Sequence, residues 1–205
     1  MGLSKIRDLV KVKDEIKTSI KNKGVLVDVG LYQYGDEIRS IKKEQVIYRN
    51  SWVWDGTTLF RGSWAPPLSF KNVNYIDESP FEYSDVETVN IYDTSHLTSM
   101  DDLFYQCENL KTVNEFDASG LDYDGLQGAF YGCTNLENVG GFIGLKVKLD
   151  MSDSVNLTYR SLMNIINNLA EVSTTTTLTL GETNLAKLSE DDIAIAINKG
   201  WSITA

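Results

Sequence analysis

The sequence predicts an α/β fold of stacked repeats, in which each unit supplies a short strand and a short helix. Two repeated phrases predict this fold. "LFYQCENLKTV" at residues 103–113 returns as "AFYGCTNLENV" at 129–139, an offset of 26 residues. "TVNIYDTSHL" at 88–97 returns as "TVNEFDASGL" at 112–121, an offset of 24. Such periods are typical of supersecondary units that lie side by side and share one core.

Each predicted unit contains a helical turn ("MDDLFYQC"), a tight turn, a strand ("LKTVNEF") and an Asp-x-Ser turn. Equivalent apolar positions should face inward, because each unit must offer the same shape to its neighbour. The predicted repeat core consists of Leu103, Phe104, Cys107, Leu110, Val113, Ala129, Phe130, Cys133, Leu136 and Val139. The two cysteines are predicted to be buried free thiols, since a disulfide needs Cα atoms within ~7 Å and stacked repeats usually separate equivalent positions further.

Residues 1–45 are predicted to be a helical module for attachment and oligomerisation. In "LSKIRDLVKVKDEIKTSIKNKG", Ser4 is a candidate N-cap and Gly24 a stop. The apolar side chains of this helix form one stripe, which is interrupted by Lys13: Ile6, Leu9, Val10, Ile16 and Ile20. Their heptad-like spacing predicts either a homo-oligomer, with a trimer as our expectation, or a helix that packs on its own domain.

Residues 46–205 are predicted to form the repeat domain, with an aromatic N-terminal cap at 46–75 and a C-terminal cap at 177–205. In the second of these, Ser189 is a candidate helix N-cap with Asp192 three residues later. Between the caps, Thr158 is the candidate N-cap of another amphipathic helix. The aromatic segment holds Trp52, Trp54 and Trp64, for which two interpretations stay open. They form either the buried core of the cap, which we favour, or an exposed platform on which sugars stack.

Composition excludes several classes of partner and activity. The net charge of −10 argues against nucleic acid and anionic membranes as partners. The chain begins without a secretory signal and contains no run of ~20 apolar residues, so we expect synthesis in a cytoplasm and no membrane span. The one histidine, His96, lies in a turn beside Asp93 and Ser95, an arrangement that rarely builds a catalytic relay. We expect no catalytic residue, no metal site and no cofactor.

The repeated phrase, "M-x-x-L/A-F-Y-x-C-x-N-L" followed by Val and then "D-x-S", resembles the BspA-type leucine-rich repeats of bacterial surface and phage proteins. The closing segment from "LTYRSLMNIINNL" to "NKGWSIT" resembles the carboxyl ends of phage-encoded members. The resemblance covers about residues 76–205. It implies a curved leucine-rich-repeat solenoid, with one strand per unit on the concave face, that acts as a binding surface and not as an enzyme.

The resemblance and the missing export signal together predict a phage virion protein, made in the host cytoplasm and carried on the particle. Its amino-terminal segment would attach to capsid or tail proteins, and its repeat domain would bind a host surface glycan or protein. A head fibre or capsid decoration is our first interpretation. A tail-associated receptor-binding adhesin, and a prophage or cellular protein–protein interaction domain, are the alternatives.

Overall fold

A computed structural model of the chain describes residues 52–71, 73–76, 79–122 and 125–205. The predicted attachment stripe from Ile6 to Ile20 lies outside the described residues. The predicted domain boundary between residues 45 and 46 also lies outside them, as does the start of the aromatic cap. No helix in the described ranges is long and apolar enough to cross a membrane.

The described ranges contain short strands, most of two residues, and three helices near the carboxyl end. The strands are β1 Trp52–Val53, β2 Leu68–Ser69, β3 Thr88–Val89, β4 Ile91–Tyr92, β5 Thr112–Val113, β6 Phe116–Asp117, β7 Asn138–Val139, β8 Phe142–Ile143, β9 Leu149–Asp150, β10 Thr176–Thr179 and β11 Trp201–Thr204. The helices are α1 Tyr159–Asn168, α2 Glu182–Leu185 and α3 Glu190–Asn198.

The strands form four small sheets in which every pairing is parallel. The strand orders are β1-β2-β4, β3-β5-β7, β6-β8 and β9-β10-β11. Pairing follows the repeat, since Val89 lies opposite Val113 and Val113 opposite Val139. The offsets read from the repeated phrases are therefore those that bring equivalent strands side by side.

The predicted fold class, a leucine-rich-repeat solenoid with a strand and a helix in each unit, is wrong. The helices in the described part all lie after Thr158, and the repeated phrases at 103–113 and 129–139 contain none. Small separate parallel sheets, joined by hydrogen-bonded turns, take the place of the predicted units. The segment "MDDLFYQC", expected to be helical, consists of such turns.

Backbone hydrogen bonds explain why this segment is not helical. Alternate N–H groups donate to carbonyl oxygens of the following unit over 2.7–2.9 Å: Met100 to Gly125, Asp102 to Gln127, Phe104 to Ala129 and Gln106 to Tyr131. The N–H groups between them close four-residue turns instead: Leu103 to Met100, Tyr105 to Asp102 and Cys107 to Phe104. An α-helix needs consecutive N–H groups to bond four residues back along the same segment, so the two patterns exclude each other.

A column of phenylalanine rings runs through the core of the stacked units. Neighbouring ring centroids are 5.3–5.7 Å apart along the series Phe60, Phe81, Phe104, Phe130 and Phe142. All ten positions of the predicted repeat core are buried, with at most 2 % of each residue exposed. The rings and the aliphatic positions around them supply the apolar burial that holds these two-residue strands together.

Both cysteines are free and lie in this core. The Cys107 thiol donates to the Phe81 carbonyl oxygen over 2.9 Å, and the Cys133 thiol donates to the Phe104 carbonyl oxygen over 3.1 Å. Each thiol thus bonds to the backbone of the preceding unit. Burial raises the pKa of Cys107 to about 11 and also raises the pKa of Cys133.

The C-terminal part uses capped helices instead. Thr158 caps α1 by accepting a hydrogen bond from the Ser161 N–H, and Ser189 with Asp192 forms a capping box at α3. Both caps are those that the sequence predicts. The Lys199 ammonium closes the other end of α1 by donating to the carbonyl oxygens of Ile166, Asn167 and Leu169 over 2.7–3.2 Å. The last carbonyls of this helix therefore have a cationic partner, which also suits its dipole.

Candidate functional site: an exposed tyrosine ladder

Three tyrosines from successive units form a continuous strip on the surface, here named the tyrosine ladder: Tyr83, Tyr105 and Tyr131. The rings of Tyr105 and Tyr131 stack with centroids 5.1 Å apart and an angle of 17° between their planes. Tyr83 meets Tyr105 nearly edge to face, at 5.6 Å and 77°. Tyr83 is 61 % exposed and Tyr131 is 53 % exposed, whereas Tyr105, between them, is half-buried. Single exposed aromatics are ordinary, but a contiguous row marks an interaction surface.

The backbone of the repeat sets the spacing of the ladder. The Gln106 N–H donates to the Tyr131 carbonyl oxygen over 2.7 Å, and the Tyr83 N–H donates to the Tyr105 carbonyl oxygen over 2.8 Å. These hydrogen bonds join the backbones of successive units and thereby fix the distance between one tyrosine and the next. The rings stack because their backbones are bonded in register.

Tyr83 has a backbone conformation that tyrosine rarely adopts. It occupies the position in its unit that Gln106 and Gly132 occupy in theirs, and all three have left-handed φ angles of 57°, 58° and 75°. Gly132 adopts this conformation freely, but a bulky side chain there carries strain of the order of 1–3 kcal/mol. The surrounding hydrogen bonds hold this backbone in place, and the Tyr83 ring lies against that of Tyr105.

The phenol of Tyr105, in the middle of the ladder, has a raised pKa and keeps its proton at physiological pH. Desolvation raises the pKa of Tyr105, and the neighbouring Tyr83, Tyr131 and Asp102 raise it further. A protonated phenol both donates and accepts hydrogen bonds. The ladder therefore combines apolar ring surface with phenol hydroxyl groups.

The ladder ends at a cleft of about 270 Å³. The residues that line the cleft and bear on its chemistry are Gln127, Tyr131, Lys148, Asp150, Ser152 and Asp153. In the preceding unit, the equivalent N–H group, that of Gln106, donates to a backbone carbonyl oxygen. The Gly132 N–H donates instead to the Asp153 carboxylate over 2.8 Å. Because this carboxylate ends the series of backbone pairings, no fourth ring continues the ladder beyond Tyr131.

The cleft contains charged groups of both signs. Asp150 Oδ1 accepts hydrogen bonds from the Ser152 N–H at 3.0 Å and from the Ser152 hydroxyl at 2.7 Å. Asp153 Oδ2 accepts the Gly132 N–H. Lys148 is exposed and forms no hydrogen bond or ion pair with the described residues. The cleft thus offers two carboxylates and one ammonium beside an aromatic ring.

The three tryptophans of the predicted sugar platform do not lie on one surface. Trp54 is 3 % exposed, packs against Phe70 at 5.5 Å and donates its ring N–H to the Thr58 carbonyl oxygen over 2.9 Å. Trp52 is 44 % exposed and meets Phe60 edge to face, and Trp64 is 73 % exposed. Trp54 belongs to the core, whereas Trp52 and Trp64 do not, so the buried cap core that we favoured from the sequence is wrong for these two. The strand β1 ends at Val53, before Trp54.

His96 has a structural contact. Its Nε2 lies 2.9 Å from the Phe70 carbonyl oxygen and joins two neighbouring units. Within the described ranges, no three side chains of His, Cys, Asp or Glu converge in a way that could hold a metal ion.

The sequence contains a signal for the ladder that we did not use. Both copies of the repeated phrase read "FY", so a tyrosine follows each core phenylalanine as regularly as the cysteine does. Position next to a buried residue on a turn predicts exposure. Comparison with protein-family models, with curated proteins and with solved structures found no match to this chain.

Proposed function

We propose that residues 52–205 form a non-catalytic domain that binds carbohydrate chains through the tyrosine ladder. The observation that carries the proposal is the contact of three tyrosines from three successive units, of which Tyr83 and Tyr131 are exposed and Tyr105 is half-buried. Sugar rings have apolar C–H faces and a rim of hydroxyl groups. The ladder has the matching combination, since each tyrosine ring has apolar faces and one phenol hydroxyl.

The charge around the ladder favours this ligand over an acidic one. Glu82 and Asp102 are close enough to Tyr105 to act on its pKa, and the whole chain has a net charge of −10. Nucleic acids and acidic proteins would be repelled by this field. A neutral polymer with hydroxyl groups is not.

Binding of the full-length chain to a glycan array, with Tyr131→Ala and Tyr83→Asn variants, tests the proposal. Asparagine is chosen at residue 83 because it tolerates the left-handed backbone. Loss of one ring contact of ~1 kcal/mol should weaken binding about fivefold in each variant. Tyr75→Ala is the matched control, since Tyr75 is 55 % exposed and lies outside the ladder. Equal binding by all three variants would reject the ladder as the site, and release of sugar products would reject the non-catalytic role.

We propose that the domain works on a bacteriophage particle, as a head fibre or decoration that attaches through residues 1–45. A tail adhesin or a cellular interaction domain remains the alternative setting. The support is the resemblance of the repeated phrases to those of phage proteins, and the geometry of residues 52–205 does not bear on it. Mass spectrometry of purified particles is expected to detect the chain, and its absence from particles would favour the cellular alternative.

We also propose that the stripe from Ile6 to Ile20 joins copies of the chain into a homo-oligomer, for which we expect a trimer. The support is the heptad-like spacing of its apolar residues. Sedimentation of the full chain and of a chain lacking residues 1–23 tests this. A monomer in both cases would contradict it.

A further inference from the structure

We propose that the cleft at the end of the tyrosine ladder is a subsite for a neutral sugar with two adjacent hydroxyl groups, and that it discriminates against acidic sugars. This inference rests on the proposed function, because it assigns to one end of the carbohydrate site a specificity of its own. It concerns Tyr131, Lys148, Asp150 and Asp153.

The ring of Tyr131 has one face left for a ligand. Tyr105 of the preceding unit stacks on the other face at 5.1 Å. The remaining walls of the cleft include Lys148, Asp150 and Asp153 from the following unit, so the cleft lies on the side away from Tyr105. A sugar ring in the cleft can therefore place its C–H face against Tyr131 and its hydroxyl groups towards the charged side chains.

A sugar hydroxyl can both donate and accept a hydrogen bond, and the cleft contains charged groups that match each role. A carboxylate only accepts hydrogen bonds, and Asp150 and Asp153 each keep one oxygen that no described residue bonds, so each can accept one of two adjacent hydroxyls. Asp150 uses Oδ1 for Ser152, which fixes its orientation and leaves Oδ2 with no hydrogen bond to the described residues. The Lys148 ammonium only donates, and it is near enough to supply a hydrogen bond to a ring or hydroxyl oxygen.

The same groups oppose acidic sugars. A carboxylate on the ligand would meet the two carboxylates of Asp150 and Asp153 and only one ammonium, that of Lys148. Like charges at close range disfavour binding, and this repulsion is a means of excluding the wrong ligand. A neutral sugar satisfies all three groups without it.

The test measures binding of the full-length chain to oligosaccharides that share one neutral core. One set ends in neutral hexoses or N-acetylhexosamines, and the other ends in a uronic or sialic acid. We expect the wild-type chain to bind the neutral ends at least about tenfold more tightly. Asp150→Asn should weaken binding of neutral ends about tenfold, which is the loss expected when a hydrogen bond to a charged group goes, and should reduce the discrimination against acidic ends.

Asp117→Asn is the matched control. Asp117 Oδ1 accepts hydrogen bonds from the Ser119 N–H at 2.9 Å and from the Ser119 hydroxyl at 2.6 Å, in the same turn as that of Asp150 but away from the cleft. Both substitutions should therefore affect folding alike, and only Asp150→Asn should change binding.

The possible results separate this inference from the proposed function. Binding that depends on Tyr83 but is equal for neutral and acidic ends, or equal in the Asp150→Asn and Asp117→Asn variants, overturns the subsite and leaves the ladder in place. Tighter binding of acidic ends also overturns it. Absence of binding to every glycan overturns both proposals.

Discussion

Residues 79–147 and residues 148–205 stack parallel strands in the same way but connect them by different means. In the first region the connections are turns whose alternate N–H groups bond to the next unit, and a column of phenylalanine rings fills the interior. In the second region α1 and α3 make the connections, with side-chain caps at their ends. Paired strands are 24 and 26 residues apart in the first region and 29 and 25 residues apart in the second, so both kinds of connection allow parallel pairing. What decides the connection is whether its N–H groups are used within the segment or between units.

The largest expected effect tests the column of rings. Phe104→Ala removes a fully buried ring that contacts Phe81 on one side and Phe130 on the other. We expect the free energy of unfolding to fall by about 3–5 kcal/mol, as for other buried Phe→Ala changes. Denaturant unfolding of the full chain measures it. Phe60→Ala, near the end of the column where the ring is partly buried, should cost clearly less. Equal losses would mean that the column does not hold the region together.

A second substitution tests the hydrogen bonds that stabilise the end of α1 in the helical region. Lys199→Met removes the ammonium that donates to three carbonyl oxygens at the end of α1 but keeps most of the apolar stem. Loss of hydrogen bonds from a charged group predicts destabilisation by about 1.5–3 kcal/mol. Thermal unfolding of the variant measures this, and Lys146→Met, an exposed lysine outside the helices, is the control. An unchanged melting temperature would show that water replaces the ammonium at no cost.

A third prediction concerns pH and the cysteines of the repeat region. Burial raises the pKa of Cys107 to about 11, so the folded chain keeps a proton that the unfolded chain loses above about pH 8.5. The contribution of this thiol to stability is complete below that pH and is lost as the pH rises towards 11.

Comparison with Cys107→Ser isolates the effect, because Ser84 occupies the equivalent position in its unit and is buried. The stability difference between wild type and this variant, from denaturant unfolding at pH 7 and pH 10, should shrink at the higher pH. A constant difference would contradict the shifted pKa of the thiol.

The smallest expected effect concerns the helix caps. Ser189→Ala removes the hydroxyl that accepts the Asp192 N–H at 3.2 Å and leaves the capping box incomplete. A loss of about 1 kcal/mol is expected. Hydrogen bonds from Ser189 also lower the pKa of Asp192, so this part of the stability is present above the usual carboxyl pKa and is lost as the pH falls through the lowered value. Urea unfolding of the variant and the wild type at pH 7 and pH 3 should show a smaller difference in acid.

Which features the sequence could predict depends on how local their causes are. The caps at Thr158 and Ser189 were predictable because a cap is decided by residues within one turn. The parallel pairing of Val113 with Val139 follows from the repeat offset. The absence of helices from the repeated phrases was not predictable in this way, because "MDDLFYQC" has a helical pattern and the competing hydrogen bonds come from another unit. The Asp-x-Ser turns at Asp117 and Asp150 are local and form as their residues predict.

The tyrosine ladder was hidden for a related reason. Tyr105 and Tyr131 repeat at the same offset as the cysteines, yet their contact depends on the spacing between units, which only the pairing supplies. Tyr83 is out of step with them by one position and joins the row through its left-handed backbone. No period in the sequence reveals that compensation.

Mutual contact within the row of tyrosines has an entropic consequence. Each ring is restrained by its neighbour before any ligand arrives, and Tyr83 is restrained further by its backbone. Immobilising a free side chain on association typically costs about 0.5–1.5 kcal/mol, and a surface that is already ordered avoids most of that cost. A weakly interacting, flexible polymer could thus be held by a rigid surface whose own freedom hardly changes.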